Sequence, residues 1–197
     1  MDRKDIQKLY KKCHTPLHVQ KHMHQVSEVA GVIAAQMKHI GRNVDQAFIN
    51  DLALIHDLMK AIAFKKYNAK SFLKPPTEED IEYWKVMKKR YKGKDVEATS
   101  EVLRKTQQKK LANAVLSQQF DAVISKDHPL KTLEEKIVYY ADKRVAHTEI
   151  VPLTARLKEG YLRYHGKKKP KSARLKKIEL AIYMLEEEIF TMKDTIE

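Results

Sequence analysis

Cysteine is nearly absent. Cys13 stands alone in 197 residues, so no disulfide closes within the chain, which suits a reducing cytoplasm. Long apolar runs are missing too. No stretch approaches the roughly 18 residues of a membrane span. Met1 to Tyr10 lacks the apolar centre of a signal peptide, so the expectation is a soluble, cytoplasmic chain with no membrane partner. Five glycines and six prolines leave long unbroken segments, and no β-like run alternates cleanly. These shortages predict an all-α fold, and the length suits one domain, 1–197, with a sizeable core.

Acids are also in deficit, 26 against 39 lysines and arginines, for a formal charge of +13. Such an excess favours a polyanionic partner, a phosphorylated substrate or solubility alone. One cluster runs through Lys85, Lys88, Lys89, Arg90, Lys92 and Lys94. Another runs through Arg163, Lys167, Lys168, Lys169, Lys171, Arg174, Lys176 and Lys177, with no acid between Gly160 and Lys177. The plain account of each is a solvated face. Beside Tyr161, Tyr164 and His165, the second is also suited to a nucleic-acid backbone. Self-repulsion, Gly166 and Pro170 predict a mobile loop there.

Apolar spacing predicts an amphipathic helix over 2–12 and a second from Thr15-Pro16, an N-cap followed by proline, to about His39. Gly41 ends it. A buried helix spans Ile49 to Ile62 without Gly or Pro. Phe64 to Lys94 has a looser pattern and reads as an insertion or lid, with a helix over Ile81 to Tyr91 begun by Thr77 and Asp80 or the neighbouring Glu78 and Glu79. Shorter helices follow over 96–105 and 109–119, then a strong one over 132–146. Beyond it, Pro152 starts a helix, and another covers Ser172 to Met192.

Within the Ile49 to Ile62 run, His56 and Asp57 stand side by side with Lys60 one turn on. The plain account is a core histidine and a carboxylate neutralised by Lys60, because ionisable groups are seldom buried unless paired or metal-bound. Other stray polar residues reverse that preference. His18 and His22 share a face at i,i+4 on the second helix, with His24 nearby, and His22 falls on the stripe of Val26. Asp142 ends the apolar run Ile137 to Ala141. His22, His56, Asp57 and Asp142 make a mixed nitrogen and oxygen set suited to one divalent transition metal with positions left for water.

In the order H…HD…D, the chain resembles the HD-domain superfamily of metal-dependent phosphohydrolases. The resemblance covers Thr15 to about Val145. It rests on Thr15-Pro16-Leu17-His18-Val19-Gln20-Lys21-His22, on Leu52-Ala53-Leu54-Ile55-His56-Asp57-Leu58-Met59-Lys60, and on Glu134 to Val145 around Asp142. It implies a helical HD core over 15–147 with extra C-terminal helices over 148–197. It further implies His22, His56, Asp57 and Asp142 as metal ligands. Members with two metals carry further histidines, where this chain has Asp95 and Gln118, so one metal is expected. Leu58 to Ala61 lacks the Glu-Asp pair of stringent-response nucleotide hydrolases, which argues against that substrate class.

The implied activity is hydrolysis of a phosphomonoester or phosphodiester, with a nucleotide as the expected substrate. A divalent ion (Mn, Fe, Co, Ni, Zn or Mg) would acidify water and polarise a phosphoryl oxygen. Asp57 would ligate and orient the attacking water, Lys60 would neutralise phosphate charge, and Arg144 would assist in binding substrate. For Lys60 the alternative is a salt bridge to Asp57 or to a neighbour, and for His18 a supporting role behind the ligands. Two other functions stay open: a nucleic-acid-associated module using the basic C-terminal loop, and a metal-bearing interaction protein without turnover.

Overall fold

The computed structural model describes residues 1–67, 72–165 and 170–191, and these form an all-α fold. Asp2 caps α1 (Arg3–Lys12), accepting the Asp5 N–H over 2.7 Å. In α2 (Leu17–His39) the residues Val19, Met23, Val26, Ala30, Ile33, Ala34 and Met37 recur at three- and four-residue intervals, and all are buried. Gly41 ends it at φ 79°, a left-handed conformation that favours glycine. Asp45 caps α3 (Gln46–Ile55) through the Phe48 N–H at 2.9 Å. Downstream come α4 (Glu78–Tyr91), α5 (Asp95–Lys105), α6 (Lys109–Ala114) and α7 (Leu133–Asp142). A two-residue antiparallel pair follows, β1 (Val145–Ala146) with β2 (Glu149–Ile150), and then α8 (Leu153–His165) and α9 (Ala173–Thr191).

The centre is a three-helix contact, α2 against α3 and α7, and α3 against α7. One apolar cluster extends from Ile6 on α1 to Ile189 on α9, so the C-terminal helix closes the same core. A smaller cluster joins Ala61, Phe72 and Trp84, with Phe64, Tyr67, Ile81 and Tyr83 packed against it.

Several boundaries differ from the sequence expectation. The run Ile49 to Ile62 is not one helix: α3 stops at Ile55, and a 3-10 turn occupies Lys60–Ala63. Carbonyls that would continue the helix are taken by side chains. Tyr10 Oη donates to Leu54 O at 2.6 Å, and the His56 ring bonds Ala53 O at 2.8 Å. Thr15 Oγ1 donates to Leu58 O at 2.8 Å, so Thr15 does not cap α2, and Pro16 occupies the cap position with no side-chain bond. The helix expected to reach Ala146 ends at Asp142, because Val145 and Ala146 enter the strand pair. That expected over 109–119 becomes α6 followed by a 3-10 turn, Val115–Gln118. Thr77 and Asp80 do form the capping box.

Lys167, Lys168 and Lys169 lie outside the described residues. The rest of the basic segment is less isolated than its sequence suggests. Arg163 pairs with Glu159, Lys171 with Glu179 and Arg174 with Asp121. No described helix is long and apolar enough to cross a membrane.

Candidate metal centre

His22, His56 and Asp142 arrive from three segments and meet. His22 lies on α2, His56 caps the end of α3, and Asp142 is the last residue of α7. One ligand-type atom from each lies within 4.8 Å of the others. His22 Nε2 is 2.9 Å from Asp142 Oδ1. His56 Nε2 is 3.7 Å from the same oxygen and 3.8 Å from Asp57 Oδ2. The two rings are edge-on, with centroids 5.7 Å apart.

Backbone carbonyls dictate which ring nitrogens carry hydrogen. His56 Nδ1 faces Ala53 O at 2.8 Å, and His22 Nδ1 faces His147 O at 2.9 Å. A carbonyl only accepts, so both Nδ1 atoms donate, and both Nε2 atoms are left to point at carboxylates. A bare Nε2 beside Asp142 Oδ1 sets two acceptors face to face, and a proton or a cation must lie between them. His56 is 4% exposed, and its Nε2 is buried with no hydrogen-bond partner. A buried polar atom without a partner is costly. Two anchored imidazoles presenting Nε2 across a carboxylate oxygen fit a divalent transition ion in donor type and orientation.

Burial opposes charge on these groups, and their neighbours decide the outcome. At Asp142, burial is outweighed by Lys143, His22 and His56, and the carboxyl ionises well below its ordinary range. At Asp57, Lys60 and His56 outweigh burial and the repulsion of Asp142, and its pKa falls. Burial would depress His56, but Asp57, Asp142 and the Ala53 carbonyl produce a net rise. Asp95 moves the other way, because burial and Asp57 together exceed the help of Lys60.

Asp57 flanks the trio. Its Oδ1 is 3.3 Å from Lys60 Nζ, which also lies 3.2 Å from Asp95 Oδ2. Lys60 therefore has the salt bridge considered from sequence, and bridges two carboxylates. Arg144 is not brought to the cluster. Its Nε donates to Val151 O at 2.9 Å and one terminal nitrogen donates to Tyr140 Oη at 2.7 Å, with Glu186 at 3.7 Å. His18 stands beside the site and packs against Phe64 and Phe72, at ring separations of 5.8 and 4.8 Å. Burial, then His147 and His22, depress its pKa. Gln118 donates to Ser117 Oγ and Glu135 O.

Sequence reasoning missed two contributors. Lys143 Nζ bonds Asp142 Oδ2 at 2.6 Å, and the His147 carbonyl orients His22. The position of Lys143 after the apolar run was a usable signal, whereas a backbone carbonyl leaves none. Compared with protein-family models, curated proteins and solved structures, the chain finds no match.

Proposed function

We propose that the chain is a metal-dependent phosphohydrolase of the HD-domain type, acting on a nucleotide or related phosphate ester. The observation that carries this reading is the buried, unpartnered His56 Nε2, facing Asp142 Oδ1 and Asp57 Oδ2 beside His22. His22, His56 and Asp142 would hold one divalent ion, with Asp57 completing the set. When bound, such an ion acidifies water and draws charge from a phosphoryl oxygen.

The protein groups supply the rest. Asp57, ionised in the neutral range, accepts a hydrogen from the attacking water and fixes its approach. Lys60, held between Asp57 and Asp95, offers an ammonium to the phosphate oxygens. Lone Cys13 is buried, and burial pushes its thiol up to about 12, so it is inert and compatible with the cytoplasm.

The test is a panel of phosphomonoesters and phosphodiesters, nucleotides included, offered to metal-free protein reloaded separately with Mn, Mg, Ni, Co or Zn. Ion-dependent hydrolysis of at least one ester is expected. Absence of turnover with every ion contradicts the proposal.

A further inference from the structure

Lys143 is an unusual neighbour for a metal ligand. It is 6% exposed, and lysine is seldom buried so far without a partner. Its ammonium lies 2.6 Å from Asp142 Oδ2 and 4.3 Å from the centre of the Tyr139 ring, with the Phe120 ring at 5.8 Å. That wall is fixed in turn, because Tyr139 Oη donates to Phe120 O at 2.6 Å.

The consequence falls on Asp142. Its Oδ2 is committed to Lys143, while Oδ1 faces His22 and His56. We infer, on the reading of this cluster as a metal centre, that Lys143 is a positioning residue that confines Asp142 to one-oxygen ligation. It also stations a fixed positive charge directly behind that ligand. Both effects restrain affinity, since the ion loses a second oxygen and is repelled by a nearby cation in a poorly solvated place. An ion held there would have one protein oxygen fewer around it, which would leave room for water and substrate.

Calorimetric titration of metal-free wild-type, Lys143→Met and Lys143→Arg with Mn²⁺, and the visible spectra of their Co²⁺ forms, test this. Lys143→Met is expected to bind Mn²⁺ about tenfold more tightly or better. Its Co²⁺ bands should weaken, because a second carboxylate oxygen raises the coordination number. Lys143→Arg keeps the charge and should stay near wild type. Unchanged or weaker Mn²⁺ binding by Lys143→Met, or an unchanged Co²⁺ spectrum, overturns the inference and leaves the metal centre standing. Failure of the wild-type protein to bind either ion overturns the metal centre and the inference together. If circular dichroism shows Lys143→Met unfolded, Lys143→Gln is measured in its place against the same outcomes.

Discussion

Thr15 and Leu58 are joined by a buried hydrogen bond of 2.8 Å, the Thr15 hydroxyl donating to the Leu58 carbonyl. It ties the entrance of α2, which carries His22, to the turn that carries His56 and Asp57. Thr15→Val keeps the shape and leaves that carbonyl without its donor, which should lower stability by about 1–3 kcal/mol. Urea denaturation measures the loss, and Thr15→Ser should recover most of it. Equal stability of the valine variant would show that the bond does not hold the turn.

Roles within the site separate by substitution. His56→Ala and Asp57→Ala should each abolish ion-dependent hydrolysis, because both face the proposed ion. Lys60→Ala should retain the ion and lose activity by about 10²-fold, as when one donor to a developing charge is removed. Single-turnover kinetics beside metal analysis distinguishes the cases. Loss of bound metal from Lys60→Ala would reverse the assignment.

Arg144 should behave as a structural residue. Its guanidinium joins Tyr140, Val151 and Glu186, and it also helps restrain the Tyr140 phenol, which burial pushes up to about 12. Arg144→Met should lower stability by about 1.5–3 kcal/mol, the range for hydrogen bonds to charged groups. KM should stay unchanged. A raised KM in a fully stable variant would return Arg144 to the substrate site.

Asp80 provides a pH signature away from the proposed metal centre. Burial raises its pKa, but the Thr77 N–H, His14 and the Thr77 hydroxyl outweigh it, so the folded carboxyl titrates below its ordinary value. A depressed carboxyl contributes stability above its unfolded pKa of about 3.9, and that contribution disappears as pH falls through the folded value. Wild type should therefore exceed Asp80→Asn in denaturation midpoint at neutral pH, and the gap should close in acid. A pH-independent gap would contradict this.

The helices that meet at the site were legible because their apolar stripes are local. Val19 through Met37 announce α2, and Ile137 through Ala141 announce α7. The end of α3 was not, because the groups that interrupt it, Tyr10 and Thr15, lie 44 and 43 residues from their carbonyl partners. The ligand-type residues were visible as polar intrusions in apolar runs. Which of Lys143 and Arg144 serves Asp142 was not, since neighbouring residues at a helix end diverge and their partners, Tyr139 and Glu186, are known only after folding.

The central claim is the ion itself, and metal content measured on dialysed protein reloaded with one divalent ion tests it most directly. The account predicts about one ion per wild-type chain, the stoichiometry of a single centre with three or four protein ligands, and loss of that ion in folded His56→Ala. A wild-type chain that retains no ion, or a His56→Ala chain that retains as much, would contradict it.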